Sequence, residues 1–195
     1  MPQHIRSVAV FCGTRAGTDP SHLEAARQLG AGLAARDMTL VYGGGGVGLM
    51  GAVAQGTLRA GGRVHGVIPE FLTRVERPCA NLTQFEVTSS MHTRKTRMFE
   101  LADAFITLSG GLGTLDETVE IITWRQLGLH DKPVIILDIN GWAQPFLALV
   151  ESLIDQGFVD PSNRRLYAVA PDVPAALGLL QAAPLPETAA PAERL

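Results

Sequence analysis

Cysteine is scarce. There are two in 195 residues, Cys12 and Cys79, far apart and without a C-x-x-C spacing. This excludes a disulfide framework and a cysteine zinc site, and reads as two reduced, buried thiols of a cytoplasmic protein. Lysine is equally rare, with Lys95 and Lys132 set against fourteen arginines. The five histidines (His4, His22, His65, His92, His130) show no ligand spacing such as H-E-x-x-H, so no metal site is expected. No apolar run reaches the roughly 18–20 residues of a membrane helix, and the first residues lack a signal-peptide apolar core. The net charge of −3 offers nothing to a nucleic acid backbone. There is no internal repeat and no break in composition. One domain over residues 1–183 is expected, followed by an Ala/Pro-rich tail at 184–195 that should fray.

What is present is a core. Hydrophobic residues make up 46% of the chain and charged residues 18%, the balance of a globular protein. Short runs rich in β-branched residues alternate with helical patterns. Strands are expected at residues 7–11, 39–42, 63–68, 85–88, 104–108, 134–139 and 165–170. Helices are expected to about residues 36 and 60, over 91–102, from 114 to about 127, and over 142–156 and 173–180. Residues 70–83 read as irregular. Strand–helix alternation gives βαβ units with right-handed crossovers. The fold class is therefore α/β: a Rossmann-like, doubly wound, mostly parallel sheet with helices on both faces. Ligands in such folds bind at the carboxyl ends of the strands. Thr14, the loop 43–51 with Gly44 and Gly45, the Pro69 region and residues 109–117 all follow strands and should share that edge.

Residues 109–117 read S-G-G-L-G-T-L-D-E, a strand–glycine turn–helix joint. Gly110, Gly111 and Gly113 let the backbone approach a ligand, and the free amides of the helix start suit a phosphate. Thr114 and Glu117 also fit a plain capping box, which needs no ligand. Upstream, Met91-His92-Thr93-Arg94-Lys95 sets two cations at a helix start, where the dipole disfavours them unless an anion is near. Glu117 and Glu120 fall at i, i+3, with Thr123 three residues on, a carboxylate pair able to split its titration. The loop 46–51 matches G-x-G-x-x-G, so a dinucleotide oxidoreductase is the rival reading, with Glu70 as its ribose acid.

Together these residues resemble the Lonely Guy (LOG) family, the cytokinin riboside 5′-monophosphate phosphoribohydrolases. The family pattern P-G-G-x-G-T-x-x-E is met by S-G-G-L-G-T-L-D-E, and M-H-x-R-K by residues 91–95 at the matching spacing. The resemblance also takes in the glycine run 43–51, Gly66-Val67-Ile68-Pro69, Ile122-Thr123-Trp124 and residues 126–133, about residues 8–159 in all. It implies hydrolysis of a nucleoside 5′-monophosphate to free base and ribose 5-phosphate, without metal or organic cofactor, by a homodimer with its sites near the interface. It implies nucleotide contacts from Glu76, Arg94, Lys95, Gly111, Leu112, Gly113, Thr114, Leu115, Asp116, Glu117 and Thr123, with Arg94 and Glu117 as the catalytic pair. Ser109 departs from the motif proline, which bears on the stiffness of the turn more than on its chemistry. A non-catalytic nucleotide carrier on the same fold is a further alternative. So is lysine decarboxylation, a label relatives have carried. That reaction normally uses pyridoxal phosphate on a lysine.

Overall fold

The computed structural model describes residues 4–74 and 77–186. Most of the Ala/Pro tail, and Glu76, lie outside the described residues. Seven strands form one sheet: β1 (Ser7–Phe11), β2 (Thr39–Tyr42), β3 (Val64–Pro69), β4 (Gln84–Thr88), β5 (Ala104–Thr107), β6 (Val134–Leu137) and β7 (Ala168–Ala170). Their order is β4-β3-β2-β1-β5-β6-β7, and every pairing is parallel. The helices are α1 (Pro20–Ala34), α2 (Gly48–Arg59), α3 (Glu70–Thr73), α4 (Met91–Leu101), α5 (Leu112–Gln126), α6 (Gln144–Asp155) and α7 (Val173–Ala182). The fold class read from the sequence holds.

Alternation along the strands divides the core. Val8, Val10, Cys12, Leu40 and Tyr42 face α1, α2 and α7. Ala9, Phe11, Val41 and Phe105 face α4 and α5. Strands buried on both faces need near-continuous apolar sequence, which β6 supplies in full and β3 and β5 supply apart from His65 and Thr107. On one face α1 and α2 meet backbone to backbone. A Cβ on Gly30 would lie 2.2 Å from the Val53 carbonyl oxygen, and one on Gly56 would lie 2.4 Å from that of Arg27. On the other face Phe99 stacks on Phe105 and meets Trp124 edge-on.

The order of connection reverses between β1 and β5. Earlier strands run outward from β1 on one side, later strands from β5 on the other. A crevice must open there at the carboxyl ends. The Gly13 amide bonds the Ser109 carbonyl across it at 3.0 Å.

Several boundaries differ from expectation, each for a local reason. Residues 70–73 are a short helix, not irregular chain; Pro69 closes β3 in extended conformation and Thr73 Oγ1 donates to the Glu70 carbonyl. The strand expected at 134–139 ends at Leu137, and the helix expected from Trp142 starts at Gln144. Asn140 (φ 51°) and Gly141 (φ 76°) are left-handed and make a tight turn first. The strand expected at 165–170 keeps only its last three residues, because Asp160 caps a 3₁₀ helix over Pro161–Arg165. Both glycine-rich helices start early, α2 at Gly48 and α5 at Leu112, with motif residues inside their first turns. Among the described residues no helix is long and apolar enough to cross a membrane.

Candidate active site

A pocket of about 660 Å³ fills the β1/β5 crevice, within the usual range for a small-molecule site. Residues 12–18 after β1 form one wall, and residues 109–114 after β5 form another. Leu49 and Met50 of α2, His22 of α1, Trp142, and Met91 and Arg94 of α4 complete it, with Asp116 and Glu117 from α5.

α5 begins without any side-chain cap; its N-cap is Gly111. The capping box of Thr114 and Glu117 is therefore not formed. Thr114 sits inside the helix, where its carbonyl accepts from Thr118 Oγ1 at 2.6 Å, and Glu117 turns to α4. The first amides of α5 have no intrahelical partner by geometry and open on the pocket. Of the other helices around the site, α2 also lacks a side-chain cap, but its Leu49 and Met50 amides donate to the Gly13 carbonyl. Asp19 caps α1, and Ser90 forms a capping box with Thr93 on α4. Gly111 and Gly113 have open space where a Cβ would stand, with no atom within 4 Å. Neither packing nor a left-handed backbone demands glycine there, and the backbone at both positions is open to the pocket.

Arg94 and Glu117 lie at the floor, 5% and 6% exposed. Arg94 Nε donates to the Val67 carbonyl at 3.2 Å, and Nη1 stands 3.8 Å from Glu117 Oε1, an ion pair beyond hydrogen-bond length. A Cβ on Gly43 would lie 2.0 Å from Arg94 Nη2, so the glycine makes room for the guanidinium. Burial pushes the Glu117 carboxyl up to about 7, against the pull of Arg94 and Lys95. A carboxyl that exchanges its proton near neutrality, beside a fixed cation, has the character of an acid–base group. Cys12 lines the same pocket, and burial together with the Glu117 charge holds its thiol well above the ordinary range.

Comparison with known proteins gives the family. The model of a family described as "Possible lysine decarboxylase" matches residues 50–180. A probable cytokinin riboside 5′-monophosphate phosphoribohydrolase of Oryza sativa subsp. japonica is 45% identical over 176 residues, 90% of this chain and 78% of that protein. A cytokinin riboside 5′-monophosphate phosphoribohydrolase of Arabidopsis thaliana is 45% identical over 167 residues, 86% of this chain and 77% of that one. The chain belongs to the LOG family. Solved structures share the fold. A molybdenum cofactor carrier protein from Chlamydomonas reinhardtii matches with TM-score 0.66 and 21% identity, covering 90% of this chain and 95% of that one. A molybdenum cofactor binding protein from Rippkaea orientalis matches with TM-score 0.69 and 24% identity, covering 90% and 94%.

In this LOG protein the pocket gathers Thr14, Arg94, Gly111, Leu112, Gly113, Thr114, Asp116 and Glu117 of the residues expected from sequence. It does not gather Lys95, Leu115, Glu120, Thr123, Gly44 or Gly45, and Glu76 lies outside the described residues. Lys95 Nζ donates to Glu120 Oε1 at 3.0 Å and to Asp116 Oδ2 at 3.2 Å. Burial works against its charge, but those carboxylates outweigh it and raise its titration. Thr123 is exposed and donates to the Val119 carbonyl. Gly44 (φ 81°) packs on Ile68, and Gly45 bridges Pro78.

The G-x-G-x-x-G run serves packing. A Cβ on Gly48 would lie 2.3 Å from the Thr14 carbonyl oxygen, and one on Gly51 would lie 2.3 Å from that of Gly46. The run follows β2 rather than β1 or β5, and Glu70 begins α3 instead of ending a strand, so the dinucleotide reading loses its parts. Lys132 is buried: Nζ donates to the Phe99 carbonyl at 2.7 Å and sits 3.8 Å from the Phe99 ring centre. Burial lowers its titration to about 8. Neither lysine lines the pocket, so neither is placed to hold pyridoxal phosphate there.

Sequence reasoning missed His22, Ser109 and Trp142. Ser109 Oγ and His22 Nδ1 are 2.8 Å apart, and Trp142 Nε1 donates to the Gly110 carbonyl at 3.2 Å. The one available signal was Ser109 itself, the departure from the motif.

Proposed function

We propose that the chain hydrolyses the N-glycosidic bond of a nucleoside 5′-monophosphate of the AMP or N6-prenyl-AMP kind, giving free base and ribose 5-phosphate. One observation carries the reading: a buried Arg94–Glu117 pair at the floor of a pocket whose wall is a helix start with no side-chain cap and glycine at 111 and 113. The open amides of α5 suit the 5′-phosphate. Anchoring that end makes its binding energy available to position the ribose over the floor. Glycosidic cleavage builds positive charge on the sugar. Ionised Glu117 faces that charge, and can orient the ribose hydroxyls or take a proton from the attacking water. Arg94 stays charged throughout and acts by orientation and field. These steps are carried by the chain's own side chains.

The reading extends to a cytoplasmic homodimer. Val119 (47% exposed) on α5 and Leu127 just past its end (67% exposed) fall at i, i+8 with Thr123 between them, two exposed apolar side chains that a second copy would cover. Glu120, Thr123 and Lys95 would then belong to the interface flank of the site. Light scattering near 20.7 kDa at micromolar concentration would contradict the dimer.

The test of function is direct. The protein is incubated with AMP, isopentenyladenosine monophosphate and the two nucleosides, and free bases are resolved by chromatography. Base released from the monophosphates, and far more slowly from the nucleosides, is expected. Tight nucleotide binding with no base released would make the chain a carrier.

A further inference from the structure

Ser109 carries the one difference between this chain's glycine turn and the family pattern, and it is not idle. It is 4% exposed, and a buried hydroxyl needs a partner. The partner is His22 Nδ1 at 2.8 Å, eighty-seven residues away in sequence. His22 occupies the first turn of α1, but α1 has no need of it. Asp19 accepts from the Ser21 amide through its side chain and from the His22 amide through its carbonyl. The imidazole is thus free of any capping duty. It lies beside Gly17, and both His22 and Ser109 line the pocket where the phosphate turn begins.

With Nδ1 engaged, Nε2 is the ring nitrogen left to meet a ligand. When the serine hydroxyl donates to Nδ1, the neutral ring carries its proton on Nε2; the protonated ring carries one on each nitrogen. In both forms Nε2 is a donor, and an anion selects those forms. The proline of the family pattern has no hydroxyl and could not fix the ring in this way.

We propose that His22, oriented by Ser109, is a second contact for the substrate's 5′-phosphate, beside the glycine turn. The proposal rests on the function argued above and assigns it a binding residue. His22 would touch the ligand; Ser109 would be a positioning residue acting through it. A contact made equally in ground and transition states lowers KM and leaves kcat alone.

The test uses the full chain and four variants: His22→Ala, Ser109→Ala, Ser109→Pro and the double alanine. Calorimetry gives Kd for ribose 5-phosphate, and base release from AMP gives kcat and KM. A hydrogen bond to a charged group predicts that His22→Ala weakens ribose 5-phosphate by about tenfold or more. KM for AMP should rise by a similar factor, with kcat within about threefold. Ser109→Ala should lose less, and the double variant should be no worse than His22→Ala, because the serine acts through the ring. Unchanged ribose 5-phosphate affinity in His22→Ala overturns the proposal, as does a loss confined to kcat, additive losses in the double variant, or a wild-type protein that does not bind ribose 5-phosphate. Base release needs no His22 contact. A wild type that releases base while His22→Ala binds normally therefore removes this inference and leaves the function standing. A wild type that binds ribose 5-phosphate through His22 but releases no base does the reverse.

Discussion

Glu117→Gln should make the protein inactive and, above neutral pH, more stable. The carboxyl titrates near 4.5 unfolded and about 7 folded, mainly through burial. Between those values the folded chain binds the extra proton. The associated stability is complete below 4.5 and is lost as pH rises through 7. A shift of that size corresponds to about 3 kcal/mol. Glutamine reproduces the protonated carboxyl in size and charge, so it never incurs this loss. His130 works in the opposite direction. Burial lowers its titration from 6.5 to about 4, so its contribution is present above 6.5 and lost as pH falls through 4. The two slopes nearly cancel between 4.5 and 6.5 in the wild type. Removing Glu117 should expose the His130 rise. Thermal melts of both proteins from pH 4 to pH 8 test this. The difference in Tm should be near zero at pH 4 and reach about 6–12 °C in favour of the variant at pH 8, at roughly 2–4 °C per kcal/mol for a domain of this size. In the same samples kcat should fall at least about 10²-fold, the range for loss of an acid–base group. A difference in Tm that is flat with pH, or a variant less stable than wild type at pH 8, would refute the burial argument.

Arg94→Lys should lose nearly as much kcat/KM as Arg94→Ala, at least about 10²-fold, because a lysine cannot present a planar fork while Nε holds the Val67 carbonyl. Near-wild-type turnover in the lysine variant would reduce Arg94 to a plain positive charge. Gly43→Ala puts a methyl 2.0 Å from Arg94 Nη2 and should cut kcat by at least about tenfold in a protein that still folds, an indirect loss through misplacement of the guanidinium. Normal kinetics there would show that Arg94 tolerates displacement. Gly113→Ala should raise stability by up to about 1 kcal/mol, since alanine suits a helix better, while weakening nucleotide binding. Equilibrium denaturation and calorimetry on one preparation decide between a ligand's glycine and an idle one.

Much of this was legible in the sequence. Alternating strand and helix patterns gave the element order, and the parallel sheet follows from the length of the crossovers. Arg94 and Glu117 were legible because each sits inside a dense motif. What the sequence hid depends on rotation and distance. Glu117 and Glu120 share a helix face by spacing, yet α5 is turned so that Glu117 meets Arg94 while Glu120 and Asp116 hold Lys95. Spacing on one helix does not say what stands opposite. His22 comes from the first turn of α1 and Trp142 from the turn after β6; only the packing of these elements brings them to the glycine turn, and no local pattern around either marks a ligand. The starts of α2 and α5 were misread because glycine looks like loop, whereas here it opens a helix.

The two glycine-rich stretches look alike as strings and differ in what forces each glycine. In the run after β2, Gly46, Gly48 and Gly51 each face a backbone atom closer than 3 Å to where a Cβ would be, and Gly48 is left-handed at φ 59°. The protein itself requires them. In the turn after β5 only Gly110 is so confined, by Thr114 and the Gly13 amide; Gly111 and Gly113 face empty space at ordinary φ. A glycine lowers the stability of a helix interior, so Gly113, in the first turn of α5, carries a cost that the folded chain does not recover, while Gly111 at the N-cap carries little. A bound group would offset it by lying close against the backbone amides. The motif that spells a nucleotide fingerprint is therefore architecture. The shorter one, beside Arg94 and Glu117, is the surface we propose for the nucleotide.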